Sequence, residues 1–408
     1  MTYKVLHFGD THLGRKHPSK IRKERVQSTV KAFRYCIDKA VEEDVDFVVH
    51  AGDVFDTVYP WHTVIDAAKE ELEKLEDAEI PMYVIRGNHD RSFGQGRMMK
   101  GIATEHLESD WVRLIDPQAA EFPENGYIDH DENIRIYGLG YHANRTARIL
   151  EDFQPESGKF NFLLLHDFVD GVTRSYSDNT AKADNIAGKD LDYVAIGHDH
   201  QPNQREKIGD TVFAATGGTV DYDFNTTQFG KGYNILEVDA EEKSVDVDER
   251  EVPQELELKK QVFTIEDSRE EIIEKILEEV EEGKEYAFKL KITGETDAAH
   301  EIPTQEISEE VEEKISEVIL AETMLDVQLE GMDEYDSQDG EKFNVEEFLE
   351  DHLQNNEAEE ELKTLHSEAD AMLANEENLT STGLSLRKES RKELQRKIEK
   401  ELFPGDDE

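Results

Sequence analysis

The sequence predicts an α/β protein whose first half is built on parallel strands. Two observations predict it. Over the first quarter of the chain, short apolar runs of strand character alternate with amphipathic helices, joined by short connections. The apolar runs also end, again and again, in Asp, Asn or His. In open α/β sheets the carboxyl ends of the strands are where ligands sit.

The elements follow in order. Val5-Leu6-His7-Phe8 reads as a strand that ends in Gly9-Asp10-Thr11-His12. A basic loop follows, with Arg15, Lys16, His17, Lys20, Arg22, Lys23 and Arg25. Val26, Val30, Phe33, Ile37 and Val41 then recur at three- and four-residue spacing, which makes one apolar helix face. Asp46–His50 is a second strand, ending in Ala51-Gly52-Asp53-Val54-Phe55-Asp56. Val64, Ile65, Ala68, Leu72 and Leu75 mark a second helix. Pro81–Ile85 is a third strand and runs into Arg86-Gly87-Asn88-His89-Asp90. Gly94–Gly101 reads as a mobile, basic-leaning loop. Further strands are expected at Ile134–Tyr137, Phe160–Leu165, Tyr193–Ile196 and Val212–Ala215. Two of these end in histidines, at His166 and at Gly197-His198-Asp199-His200. Tyr233–Val238 and the alternating Val245 and Val247 read as antiparallel closing strands.

A second, small α+β unit is expected from 253 to 332. Val262–Ile265 and Tyr286–Ile292 read as strands, and Ile272, Ile273, Ile276, Leu277 and Val280 as a helix face. Ile307, Val311, Ile315, Val318 and Ile319 suggest another helix, and Met324–Leu329 another strand. An acidic linker at 333–342 leads to a helical segment at 343–403 and a tail at 404–408. Phe343, Phe348, Leu349 and Leu353 give the helical segment a thin apolar face, and Arg387, Lys388, Arg391, Lys392, Arg396, Lys397 and Lys400 a dense basic run. Such sparse stripes do not build a core of their own, so this segment reads as one that docks on a partner.

The charge balance is unusual: 96 acidic against 46 basic residues, a net of -50 over 408 residues. Recurring strands and amphipathic helices argue against a disordered acidic chain. A carboxylate-covered surface adapted to very high salt fits better, since at molar salt the Debye length falls to roughly 3 Å and self-repulsion is screened. The single cysteine, Cys36, excludes an internal disulfide and fits a reducing cytoplasm. No apolar run is of membrane length, and Met1–Leu6 leads directly into a strand, so a cytoplasmic protein without a membrane partner is expected.

The strand ends collect Asp10 and His12, Asp53, Asn88 and His89, His166, and His198 and His200. In Asp-x-His and His-x-His both side chains point the same way along an extended chain, so each pair can grip one ion. Oxygen ligands mixed with imidazoles suit manganese, iron or zinc better than calcium. The set is too large for one tetrahedral site and sufficient for two neighbouring ions sharing a carboxylate. Two ions roughly 3.5–4 Å apart suit in-line displacement at phosphorus. Taken singly, Asp10, Asp53 and Asn88 could each be turn or helix-capping residues. Their coincidence at five strand ends favours a metal centre.

The blocks Gly9-Asp10-Thr11-His12-Leu13-Gly14, Ala51-Gly52-Asp53-Val54-Phe55-Asp56, Arg86-Gly87-Asn88-His89-Asp90-Arg91, His166 and Gly197-His198-Asp199-His200 resemble the five motifs of the calcineurin-like metallophosphoesterases. Within these, the chain resembles the DNA double-strand-break repair nucleases of the SbcD and archaeal Mre-eleven type. The resemblance implies a four-layer α/β/β/α sandwich over 1–252, a DNA-capping domain over 253–332 and an ATPase-binding segment over 343–403. It implies two Mn2+ ions, one on Asp10, His12, Asp53 and His200, the other on Asp53, Asn88, His166 and His198. His89 would bind no metal. It would face the scissile phosphate and help protonate the departing 3′ oxygen, with Asp90 orienting the imidazole. Implied partners are DNA, a Rad-fifty-type SMC-like coiled-coil ATPase, and a second copy of the chain held through Trp61–Leu75 or the segment around Met98–Leu107. Arg15, Lys16, Arg91 and Arg97 are the expected contacts to DNA phosphates.

Overall fold

The computed structural model describes residues 1–94, 97–99, 102–142, 145–174, 180–201, 204–264, 267–281, 284–296 and 318–329. The chain divides into two units, Met1–Gly331 and Met332–Glu408. The expected linker, partner-docking helices and tail fall in the second and lie outside the described residues.

Two six-stranded mixed sheets make up most of the first unit. The opening segment folds as β1 (Thr2–Phe8), α1 (Arg22–Glu42), β2 (Phe47–His50), α2 (His62–Asp77) and β3 (Met82–Val84). The three strands are parallel, as the alternation of apolar runs and amphipathic helices predicts. β4 (Val112–Leu114) extends this sheet in parallel beside β3. The second sheet holds β5 (Tyr127–Asp129), β6 (Ile134–Leu139), β7 (Phe160–His166), β8 (Tyr193–Gly197), β9 (Gln204–Ile208) and β10 (Thr211–Ala215). Its centre, β6-β7-β8-β10, is parallel, and β5 and β9 close the edges antiparallel. β11 (Gly232–Asp239) returns to the first sheet antiparallel to β1, and β12 (Ser244–Glu251) closes that edge.

Side-chain alternation sorts the strands between three cores. Leu6 and Phe8 of β1 join Phe33, Ile37, Ile65 and Leu72 of the two helices. Val5, on the other face, joins Phe47, Val49, Ile136, Phe162 and Leu164, a core that draws on both sheets. Leu163, Leu165, Val194 and Ile196 form a third with Leu150 and Ile186, from the short helices Thr146–Glu151 and Ala183–Ala187. Cys36 lies wholly buried among the helix residues, and burial pushes its thiol up.

The segment after 253 forms a parallel three-stranded sheet of β13 (Leu256–Thr264), β14 (Glu285–Thr296) and β15 (Val318–Leu329). α3 (Arg269–Glu278) is capped by Ser268 and Glu271 in a reciprocal capping box. It buries Ile272, Ile273 and Ile276 against Phe263, Tyr286 and Phe288. Ile21, Phe224, Leu256, Leu258 and Ala287 join this sheet to the loops beside β1 and β10.

Two expectations change. The stretch read as a loop from Gly94 contains a small antiparallel hairpin, Ser92–Gly94 with Arg97–Met99, whose three-residue arms are too short to show a period. Val318 and Ile319, read as the end of a helix, open β15 instead, paired with β14; β-branched residues favour strand backbone. The rest of that expected helix lies outside the described residues.

Candidate metal centre

β1, β2 and β3 end side by side in one sheet, and β7 and β8 in the other, so five loops converge. They interlock through backbone bonds: Asp10 N–H donates to Gly52 O at 3.0 Å, and His12 N–H to Asp53 O at 3.0 Å. The His198 N–H donates to the Asp10 carboxylate at 3.0 Å, tying the two sheets together. Asp90 accepts from the N–H groups of Val54, Phe55 and Gly87 at 3.1, 3.0 and 3.0 Å. Four of the expected ligands, Asp10, His12, Asp53 and His198, take positive φ values of 49, 42, 53 and 82°. Non-glycine residues adopt these at a cost and cluster at functional sites.

Among the described residues the donor atoms fall into three groups, one of them His12, Asp56 and His89, and the other two meet at one carboxylate. Asp10, His12 and His200 offer ligand atoms within 4.8 Å of one another, and so do Asp53, His166 and His198. His12 Nε2 and His200 Nε2 face each other at 3.1 Å. Asn88 Oδ1 lies 3.2 Å from His166 Nε2 and 2.9 Å from His198 Nδ1. Asp53 Oδ2 sits 3.7 Å from His12 Nε2 and 3.3 Å from His166 Nε2, between the groups. The seven expected ligands are therefore together.

Electrostatics fits cation binding. Burial drives the His12 and His200 imidazoles below their ordinary value, and His198 down to about 3. Two neutral rings whose Nε2 atoms meet at 3.1 Å suit a cation that accepts both lone pairs. Burial opposes ionisation of Asp53, but His166 beside it holds the carboxyl well below the carboxylate range. Burial also opposes the His166 cation, but Asp53 outweighs it and raises that imidazole to about 9. The opposite shifts of these two neighbours mark a place for positive charge. Burial raises Asp10 well above its ordinary value, which a neighbouring cation would reverse.

Around the groups, some expected roles change. His89 Nδ1 lies 2.9 Å from the Asp56 carbonyl, so that nitrogen carries the proton, and Nε2 faces the Tyr222 hydroxyl at 3.4 Å. Asp90 therefore orients the loop backbone, and the Asp56 carbonyl orients the imidazole. Arg15 is buried, paired with Asp56 at 2.6 Å and with the Tyr222 carbonyl, and its guanidinium lies 3.3 Å over the Tyr222 ring. Arg91 is buried and paired with Asp116. These two arginines hold the protein together at the site and do not stand out as phosphate contacts. Lys16 is half-exposed, with its ammonium 3.7 Å over the Trp61 ring. Arg97 lies in the hairpin, and its side chain is outside the described residues.

Sequence reasoning missed Asp56 and Tyr222 as parts of the site. Asp56 stood in a quoted motif, but its partners, His12 Nδ1 at 3.6 Å and Arg15, are fixed only by folding. Tyr222 follows β10 in a polar stretch, Asp221-Tyr222-Asp223, that gives no signal of its own.

Five converging loops that set Asp and His side chains in two groups about a common carboxylate define a metallophosphoesterase. Residues 3–202, a little under half of the chain, match the family model of the calcineurin-like phosphoesterases and form a domain of that kind. It is similar to the DNA double-strand break repair protein Mre11 of Thermoplasma acidophilum, 30% identical over 245 residues that make up 57% of this chain and 61% of the relative. The protein of the same name from Methanococcus maripaludis is 29% identical over 222 residues, 52% of this chain and 56% of that one. A component of the nuclease SbcCD from Staphylococcus epidermidis is 25% identical over 305 residues, 70% of this chain and 78% of that one. The chain thus spans little more than half the length of the two archaeal relatives.

Proposed function

We propose that this protein is a manganese-dependent DNA nuclease. It would act as a 3′→5′ exonuclease on double-stranded ends and as an endonuclease on single strands, in double-strand-break repair. The observation that carries this reading is Asp53 set between two Asp/His groups, in a chain whose relatives are named as break-repair proteins and a nuclease component. Asp10, His12, Asp53 and His200 would hold one Mn2+, and Asp53, Asn88, His166 and His198 the other. When bound, such a pair of ions lowers the pKa of a water and neutralises charge on a phosphodiester. His89, set beside Asn88 with Nδ1 protonated, would present Nε2 to the scissile phosphate and help protonate the departing 3′ oxygen.

The wider reading is a four-layer α/β/β/α sandwich over 1–252 and a capping domain over 253–332. The partition of the strands into three apolar cores supports the first, and the separate small core of α3, β13 and β14 the second. The segment 343–403 would bind a Rad-fifty-type coiled-coil ATPase, and two copies would pair as a homodimer through Trp61–Leu75 or Met98–Leu107. The place of work would be the cytoplasm, at the nucleoid; among the described residues no helix is long and apolar enough to cross a membrane. The net charge of -50 supports adaptation to high salt, where counterion release adds little and shape and metal coordination carry more of DNA binding.

The test is cleavage of end-labelled linear duplex across divalent metals, with cyclic nucleotide and phosphopeptide as rival substrates. Manganese-dependent release from 3′ ends is expected from the parent and not from Asn88→Ala. His89→Ala should keep metal and DNA binding and lose cleavage by roughly 10²–10⁴-fold. Turnover of cyclic nucleotide or phosphopeptide without cleavage of DNA would replace this reading with a small-molecule phosphodiesterase or a phosphatase. Truncation after about Gly340 should abolish association with the ATPase and leave the nuclease intact.

A further inference from the structure

Tyr222 is the aromatic hub of the site, yet it has no place in the ligand set or the proposed chemistry. Its ring centroid lies 4.8 Å from that of His12, 4.5 Å from that of His200 and 5.8 Å from that of His89. Its other partner is the Arg15 guanidinium, 3.3 Å from the ring centroid. The guanidinium is itself fixed by Asp56 and by the carbonyl of Tyr222. A ring clamped in this way has little freedom, so the position of its hydroxyl is set. That hydroxyl meets His89 Nε2 at 3.4 Å, at the long end of hydrogen-bond range.

The other nitrogen of His89 is fixed by different chemistry. The Asp56 carbonyl can only accept, so Nδ1 donates to it, and Nε2 is the nitrogen left to carry a proton to a departing oxygen. A phenol oxygen can accept from such an N–H. Asp56 and Tyr222 thus hold the imidazole from both sides. Among the described residues, no other side chain makes a hydrogen bond to His89 Nε2.

We propose that Tyr222 is a positioning residue for His89: its hydroxyl fixes the plane of the imidazole whose Nε2–H serves the departing oxygen. This rests on the phosphodiesterase reading given above for His89 and adds to it a second residue that acts through the first. Loss of the hydroxyl should weaken the chemical step and leave substrate binding alone. The loss should also depend on the leaving group, because an alkoxide needs a proton as it departs and a nitrophenolate does not.

The experiment uses the full chain with Mn2+ and compares the parent, Tyr222→Phe, His89→Asn and the double variant. The substrates are linear duplex DNA, an alkyl glycerophosphodiester and a p-nitrophenyl phosphodiester. Tyr222→Phe should lower kcat about tenfold on the alkyl substrates with KM within about twofold of the parent, and stay within about twofold on the nitrophenyl ester. In the His89→Asn background the same change should add nothing. Equal losses on all three substrates, or losses that multiply in the double variant, would show that Tyr222 only packs the site. A parent that cleaves both small diesters and not DNA would overturn the nuclease reading, while the two small esters still decide the role of Tyr222.

Discussion

Gly87 gives the sharpest test of how the centre is assembled. Its φ is not in the left-handed region, so alanine could adopt the same backbone. The obstacle is space alone. A methyl carbon at Gly87 would lie 2.0 Å from Asp53 Oδ1 and 2.5 Å from both Asp53 Cγ and Asp53 N. Carbon and oxygen come into ordinary contact at roughly 3.3 Å, so the carboxylate would have to retreat by about 1.3 Å. It cannot do so and stay in place. Asp53 Oδ1 accepts from His89 N–H at 2.8 Å, and Oδ2 lies between His12 and His166. Overpacking of this kind costs about 1–3 kcal/mol, or roughly 2–12 °C in Tm for a domain of this size. The functional loss should be larger, because Asp53 stands between both donor groups and a misplacement of about 1 Å can cost on the order of 100-fold. Calorimetric titration with Mn2+, thermal unfolding and cleavage of a labelled duplex would measure the three effects for Gly87→Ala. Parental affinity for two ions together with parental cleavage would refute the placement of Asp53 described here.

Three further outcomes follow from the same geometry. Asp90→Ala leaves three buried backbone N–H groups without an acceptor, so unfolding by denaturant should show a loss of roughly 3 kcal/mol or more, and Asp90→Asn, which keeps one oxygen, a smaller one. Burial pushes the His7 imidazole down to about 3. Below its unfolded value of about 6.5 the unfolded chain takes up a proton that the folded chain refuses, so this contribution is complete above that pH and is lost toward pH 3, by up to on the order of 5 kcal/mol. Acid unfolding of His7→Gln should accordingly show a shallower fall over that window. Arg91→Ala takes away one of the two guanidiniums on Asp116 and leaves Arg86 paired with it, so it should cost roughly 1.5–3 kcal/mol of stability. The salt dependence of DNA binding should not change in that variant; a shallower slope would return Arg91 to the phosphate contacts.

Much of this molecule can be read in advance because its parts obey short-range rules. α1 and α2 carry their apolar residues at helical spacing, and β1 to β3 are apolar runs of strand length, so the parallel opening of the fold is explicit. The elements that escape are those whose pattern is too short or too polar. β4 has three residues, and the helix Thr146–Glu151 less than two turns, so neither completes a recognisable period. β9, Gln-Arg-Glu-Lys-Ile, is an edge strand paired with β10 alone, and its side chains are largely exposed and charged. The site divides along the same line. Asp, Asn and His at strand ends announce metal chemistry by type and position. Tyr222 and Arg15 become meaningful only when a loop 133 positions from His89 closes over it, and no local pattern records that contact. The arginines show the converse: basic side chains near a phosphate site read as ligands of DNA until burial shows that Asp56 and Asp116 have claimed them.

The left-handed backbone at Asp10, His12, Asp53 and His198 sets a conflict between durability and function. Each such residue costs about 1–2 kcal/mol relative to a relaxed conformation, and glycine would relieve it. As candidate ligands, these side chains forbid that relief. Selection for heat resistance alone should therefore find its gains at these four positions and destroy the centre in the process. Read the other way, the loops are already bent into the shape that the proposed ion pair would need. Little conformational entropy would be left to lose on binding, so the affinity of such a centre would be largely set when the protein folds.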